Sequence, residues 1–77
     1  MKPQYEIVSL LRKYRRLADI TQEELAERIG VTRQTILSIE KGNYTPSVAL
    51  ALQLAHVLGV RVEDLFLLTK VQNHEQT

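Results

Sequence analysis

The sequence predicts a small all-α domain of five helices, and three observations carry that prediction. The chain has 77 residues, which is enough for one domain and too few for two. Its apolar residues recur at helical spacing rather than in alternation, and turn signals divide the chain at short intervals. Apolar residues make up 44 % of the composition, which makes a single core feasible.

The first helix is predicted from Gln4 to Leu17. Pro3 is acceptable just before it, because proline fits the first turn of a helix. Four residues spaced by four, three and four positions would form its core-facing side: Ile7, Leu11, Tyr14 and Ala18.

The second helix is predicted from Gln22 to Ile29. Thr21 and Glu24 have the spacing of a capping box, in which each side chain satisfies the other residue's backbone amide. Gly30 would end the helix in the left-handed conformation.

The third helix is predicted from Arg33 to Lys41, with Thr32 as its N-cap and Gly42-Asn43 as its stop. A short turn joins it to the second helix. Small residues at the crossing, Ala26 and Gly30, allow a steep angle between the two helices.

The rest of the chain predicts two more helices and a tail. The fourth helix would begin at Thr45-Pro46 and end at Gly59, and the fifth would run from Val62 to Leu67. Residues 69–77 are mostly polar and aperiodic, so the domain is expected over 1–68 and a flexible tail over 69–77.

Composition excludes several classes of function. The chain has no cysteine, and His56 and His74 lie far apart, so neither a disulfide scaffold nor a metal site is expected. The longest apolar stretch, from Val48 to Leu58, is too short to span a bilayer, and no signal peptide is recognised. The sequence has no recognisable catalytic nucleophile paired with a general base and no phosphate-binding loop, so an enzyme is not expected. A cytoplasmic protein without a cofactor, a membrane partner or an evident small-molecule effector is expected.

The net charge is only +1, so any DNA-binding surface must be local. The third helix provides a candidate. At 100° per residue, its polar side spans about 140° of arc, with Ile36 and Ile39 on the opposite side. That polar side comprises Arg33, Gln34, Leu37, Ser38 and Lys41. Arginine pairs bidentately with guanine and glutamine with adenine, so this surface suits a major groove.

The segment TQEELAERIGVTRQTILSIEKGNYTPS resembles the DNA-binding domain of the Xre family, the lambda-repressor-like or Cro-like helix-turn-helix proteins. The resemblance covers about Leu10 to Leu67 and includes the series IEKG, PS, LA and LGV. It implies a five-helix fold and a homodimeric transcriptional regulator that binds an operator with dyad symmetry. Two positions depart from the family pattern: Asp19 replaces the usual glycine after the first helix, and Arg61 replaces the usual cap of the fifth.

The resemblance also implies roles for particular residues. Base contacts are expected from Arg33, Gln34 and Ser38, while Leu37 would either contact a thymine methyl group or pack against a neighbouring side chain. Arg15 and Glu40 would form a partly buried ion pair that orients the third helix. Gln22 would touch a phosphate and support the third helix. The expected contacts to the DNA backbone are Thr21, Gln22, Thr32, Lys41, Asn43 and Tyr44.

The fourth helix has more apolar residues than one core-facing stripe requires. Either this helix is buried on all sides, or its additional apolar residues form a subunit contact. We favour the subunit contact, because so short a chain has few other residues that could cover the helix. The residues predicted at that contact are Leu50, Leu52, Val57, Phe66, Leu67 and Leu68.

Two functions follow from these observations. The first is a sequence-specific DNA-binding repressor that acts as a homodimer. The alternative is a protein-interaction module of the same fold, antitoxin-like or a co-regulator, whose apolar surface on the fourth and fifth helices binds a partner protein.

Overall fold

A computed structural model describes residues 4–71 of the chain. Seven elements follow one another in this range, five helices between two short strands. They are β1 (Tyr5–Ser9), α1 (Leu11–Leu17), α2 (Gln22–Ile29), α3 (Arg33–Glu40), α4 (Val48–Leu58), α5 (Val62–Leu65) and β2 (Phe66–Lys70). The predicted fold class is confirmed, with the addition of a two-stranded sheet that the sequence analysis did not predict.

The core lies where the five helices meet. Each helix contributes at least one fully buried apolar side chain, which is why short helices of four to eleven residues are stable together. The largest fully buried side chains are Leu11, Leu25, Ile36, Ile39, Leu54 and Leu65. Tyr14, predicted as a core residue, packs against this cluster while remaining partly accessible, and so does Phe66.

The predicted caps of α2 and α3 are confirmed. The Thr21 hydroxyl accepts the Glu24 amide at 3.0 Å, and the Glu24 carboxylate accepts the Thr21 amide at 2.9 Å. The Thr32 hydroxyl accepts the Thr35 amide at 3.3 Å. Gly30 ends α2 with a φ of 77°, so the α2–α3 turn has the left-handed residue that it requires.

The predicted start of the first helix is wrong. Residues 5–9 form β1, which pairs antiparallel with β2, and α1 begins at Leu11. Tyr5, Ile7 and Val8 favour an extended backbone, and the partner strand supplies hydrogen bonds that a frayed helical turn would lack. Ile7 on β1 is exposed rather than part of the core, and so is Ala18, which lies at the C-terminal end of α1.

The end of the chain's last predicted helix is also corrected. The fifth helix ends at Leu65 instead of Leu67, and β2 continues through Thr69 and Lys70, which were assigned to the tail. Pairing with β1, distant in sequence, decides this conformation. Residues 72–77 of the predicted tail lie outside the described residues.

The fourth helix begins two residues later than predicted. Its N-cap is Ser47, whose hydroxyl accepts the Leu50 amide at 3.1 Å, so Thr45 and Pro46 precede the helix. Asp19, at the position where glycine is usual in the family, adopts a φ of 59°. Aspartate is one of the residues that tolerate this conformation, so the departure leaves the turn after α1 intact.

The two strands form a narrow ribbon at one end of the helical body. Their register pairs Tyr5 with Lys70, Ile7 with Leu68 and Ser9 with Phe66. The structure measures 48 × 22 × 22 Å, far longer than it is wide. We call the ten residues of β1 and β2 the ribbon.

Candidate nucleic-acid interface

Helix α3 presents its polar side to solvent because its apolar side is fixed in the core. Ile36 and Ile39 are completely buried. Arg33 and Gln34 are exposed, whereas Leu37 and Ser38 are half-buried. Gln34 Nε2 lies 3.4 Å from Ser38 Oγ, one turn further along the same side. The predicted base-contacting residues are therefore gathered on one helix surface.

A partly buried polar network holds the C-terminal end of α3. Arg15 on α1 donates from Nε to Glu40 Oε2 at 2.5 Å and from its Nη2 to Glu40 Oε1 at 3.3 Å. The Glu40 side chain is only 3 % exposed and that of Arg15 12 %. The structure thus contains the ion pair that the resemblance implied between these residues.

Two further contacts complete this network. The third donor nitrogen of Arg15, Nη1, binds the backbone carbonyl of Ile20 at 2.9 Å. Gln22 Nε2 donates to Glu40 Oε1 at 3.0 Å, so the first residue of α2 is tied to the last residue of α3. A carboxylate with three donors and a guanidinium with three acceptor contacts are well satisfied, which lets the charges remain buried. The network fixes α3 relative to α1 and α2.

The remaining predicted backbone contacts surround α3. Thr21 and Thr32 are exposed N-caps of α2 and α3, and Gln22 is half-buried in the network. Lys41 and Asn43 are exposed just after α3, where the Asn43 amide binds the Ser38 carbonyl at 2.9 Å. Tyr44 follows them, also exposed.

The residues predicted at the subunit contact lie on α4 and β2 and differ in their exposure. Leu50, Val57 and Phe66 pack against the core cluster and are partly buried. Leu52 is exposed on α4, and Leu67 and Leu68 are exposed on the ribbon. Leu52 and Val57 line a shallow groove between α2 and α4 together with Arg28, Ile29, Gln53 and His56.

The sequence analysis missed two contributions to this architecture. The Ile20 carbonyl anchors Arg15, and a backbone acceptor leaves no side-chain signal in a sequence. The ribbon residues Tyr5, Ile7 and Val8 did carry a signal, since aromatic and β-branched residues are enriched in strands. Their spacing also matched a helix, and that periodicity led to the wrong assignment.

Within residues 4–71, no helix has the length and apolar character needed to cross a membrane. The same residues contain no group of three or more histidine, aspartate and glutamate side chains placed to hold a metal ion.

A helix held rigidly across a second helix, with a polar outer side, defines a helix-turn-helix DNA-binding domain. The chain matches the helix-turn-helix family model over residues 11–65 and belongs to that family. The family match and the names of its relatives, HTH-type transcriptional regulators, indicate a regulator domain rather than an enzyme.

Three similar proteins illustrate the relationship. An uncharacterised HTH-type transcriptional regulator of Methanocaldococcus jannaschii is 53 % identical over 57 residues, which cover 74 % of this chain and 86 % of that protein. The cryptic phage CTXphi transcriptional repressor RstR of Vibrio cholerae is 39 % identical over 74 % of this chain and 51 % of its own length. The restriction-modification controller protein C.AhdI of Aeromonas hydrophila superposes with a TM-score of 0.66 at 30 % identity, covering 70 % of this chain and 78 % of that one.

Proposed function

We propose that this protein is a sequence-specific transcriptional repressor that binds double-stranded DNA as a homodimer on an operator with dyad symmetry. The observation that carries the proposal is the exposed polar side of α3, held in place by the Arg15–Glu40–Gln22 network. Similarity to RstR, a transcriptional repressor by name, supports repression rather than activation. A cysteine-free chain suits the reducing cytoplasm, where we place its action.

In this mechanism α3 enters the major groove and reads base edges. Arg33 donates to guanine O6 and N7, and Gln34 pairs with the N6 and N7 positions of adenine. Ser38, one turn further along, contacts the next base. Leu37 is half-buried, so its side chain can pack against the protein and still contact a thymine methyl group.

Phosphate contacts set the position of α3 in the groove. The Thr21 hydroxyl accepts a backbone amide within the protein, which leaves its own proton free for a phosphate oxygen. The Thr32 hydroxyl accepts the Thr35 amide and lies 3.2 Å from the Thr35 hydroxyl, so one of these two hydroxyls donates to the other and the second keeps its proton for a phosphate. Gln22 has a second amide hydrogen besides the one donated to Glu40. Lys41, Asn43 and Tyr44 extend this set beyond the end of α3.

Repression follows from occupancy. Two copies of α3 would enter successive major grooves about 34 Å apart, one turn of B-DNA. A homodimer on a promoter-proximal operator then blocks access of RNA polymerase. Binding selection from random duplex DNA tests symmetry directly, because a homodimer of this kind recovers an inverted repeat.

Substitutions on α3 test which residues read bases. Arg33→Ala is expected to cost about 1 to 3 kcal/mol on the selected site and to relax preference at one base position. Lys41→Ala is expected to weaken binding to all DNA sequences alike and to reduce the slope of log affinity against log salt concentration by about one. Arg28→Ala, an exposed arginine of α2, is the matched control. Equal losses on selected and random DNA for Arg33→Ala would contradict the assignment.

A further inference from the structure

Helix α1 concentrates positive charge on a chain that is almost neutral. Four of the ten lysines and arginines of the chain lie in its seven residues, and the helix has no acidic residue. The net charge of the whole chain is only +1. One of the four, Arg15, is explained by its ion pair with Glu40. The other three, Arg12, Lys13 and Arg16, are exposed and need another explanation.

Neither Arg12 nor Arg16 has an ionic partner in the described part of the chain. Within residues 4–71, the ion pairs involve only the arginines at 15 and 61. Among the arginine side chains of the same residues, only that of Arg15 donates a hydrogen bond to another side chain or to the backbone. Both exposed guanidiniums therefore keep their donors for a group outside these residues.

The placement of Arg12 and Arg16 works against the stability of α1. They lie four residues apart on one surface of the helix, where like charges repel each other. Arg12 also lies in the first turn, where a cation opposes the helix dipole. An arrangement that lowers helix stability without a compensating contact in the described chain is explained if an anion binds there.

The two arginines lie on a defined side of α1. At 100° per residue, Arg12 is about 60° and Arg16 about 100° from Arg15 around the helix axis, both in the same direction. Leu11 and Tyr14, which pack in the core, are about 40° and 100° from Arg15 in the opposite direction. Arg15 thus lies between the core-facing side of α1 and a basic side in solvent.

This basic side borders the interface proposed above. Arg15 binds Glu40, the last residue of α3, and Gln22 at the start of α2 donates to the same carboxylate. Gln22 and Lys41 are both expected to contact phosphates, and they lie next to this carboxylate in space and in sequence, respectively. The two exposed arginines of α1 are therefore next to the expected phosphate contacts.

We propose that Arg12 and Arg16 bind backbone phosphates of the duplex beside the bases that α3 reads. The proposal rests on the proposed DNA binding and adds α1 to its contact set. A guanidinium presents several donors in a plane, which suits the oxygens of a phosphate. Phosphates are the same at every base pair, so these contacts strengthen binding without reading sequence.

Two double variants with the same loss of charge test the proposal. Arg12→Gln with Arg16→Gln removes the proposed contacts, and Lys13→Gln with Lys70→Gln is the control. Lys13 belongs to the same helix, but its ammonium lies 5.3 Å from the centroid of the Tyr14 ring and so leans away from the basic side. Lys70 is exposed on the ribbon.

Affinity is measured by fluorescence anisotropy on selected and random duplexes between about 50 and 200 mM salt. Each lost phosphate contact reduces the slope of log affinity against log salt concentration by about 0.9, so the Arg12 and Arg16 variant is expected to reduce it by about two per bound monomer. Its loss of affinity is then roughly tenfold larger per bound monomer at the lower salt concentration than at the higher, on both duplexes. Equal changes of slope in the control variant would show attraction by overall charge and overturn the proposal.

Stability distinguishes phosphate binding from a structural role. Arg12→Glu replaces the repulsion with an attraction to Arg16 and places an acid in the first turn of α1. Its melting temperature by circular dichroism is expected to rise by roughly 2 to 8 °C while DNA affinity falls. A lower melting temperature with an unchanged salt slope would make Arg12 a structural residue and contradict the proposal.

The unmodified protein separates failure of this proposal from failure of the proposed function. If it binds duplex DNA with a salt-dependent affinity and the Arg12 and Arg16 variant behaves like the control, the contacts from α1 alone are refuted. If it binds no duplex DNA at any of these salt concentrations, the proposed function fails as well.

Discussion

Removal of the Glu40 carboxylate is expected to destabilise the whole domain, because it leaves Arg15 largely buried and without its ionic partner. Breaking one side of a buried ion pair costs about 3 to 5 kcal/mol. The substitution also removes the Glu40–Gln22 hydrogen bond, and the Glu40 side chain is only 3 % exposed. Arg15, however, is 12 % exposed and still donates to the Ile20 carbonyl, which reduces the cost. The expected loss of unfolding free energy for Glu40→Ala is therefore near the lower end of that range, about 3 kcal/mol.

For a domain of this size, about 1 kcal/mol shifts the melting temperature by roughly 4 to 8 °C. Glu40→Ala is therefore expected to lower it by roughly 12 to 24 °C in a circular dichroism melt. Glu63→Ala is the matched control, because Glu63 lies 3.7 Å from Arg61 in an ion pair whose side chains are at least 75 % exposed. Such a pair contributes about 0 to 1 kcal/mol.

A double-mutant cycle isolates the pair itself. If Arg15 and Glu40 stabilise each other, Arg15→Ala combined with Glu40→Ala costs much less than the sum of the single substitutions. Additive losses would refute the coupling. Equal melting temperatures for Glu40→Ala and Glu63→Ala would refute the whole argument that burial makes this network important.

Two smaller predictions concern the ends of α1 and α2. Hydrogen bonds from the Thr21 backbone amide and then the Thr21 hydroxyl lower the pKa of the exposed Glu24. A lowered pKa in the folded state stabilises the protein above the usual glutamate value of about 4.3, and this stabilisation is lost as the pH falls through the folded pKa. In urea titrations, Glu24→Gln is therefore expected to make the unfolding midpoint depend less on pH below about 4.3, and an unchanged pH profile would contradict this. Asp19 and Gly30 both have positive φ, 59° and 77°, a conformation that glycine adopts more easily than other residues. Asp19→Gly is therefore expected to raise the free energy of unfolding by up to about 1 kcal/mol, and Gly30→Ala to lower it by about 1 kcal/mol. A Gly30→Ala variant that is more stable than the unmodified protein would contradict this.

The sequence by itself determined the elements that depend on neighbouring residues. The Thr21–Glu24 box, the Thr32 cap and the Gly30 turn act over one to three residues, so the bounds of α2 and the start of α3 are predictable. The division of α3 into Ile36 and Ile39 inside and a polar side outside follows from helical period alone. Family resemblance added the Arg15–Glu40 pair, which no local pattern reveals.

Only the tertiary structure decided the ribbon and the exact neighbours of Arg15. Residues 5–9 fit a helix by spacing and a strand by composition, and a partner strand about sixty residues later settles the choice by providing hydrogen bonds and cross-strand packing. The same pairing ends α5 at Leu65. Contacts between distant segments carry energies that no window of sequence contains, and for that reason the ribbon emerged only from the fold.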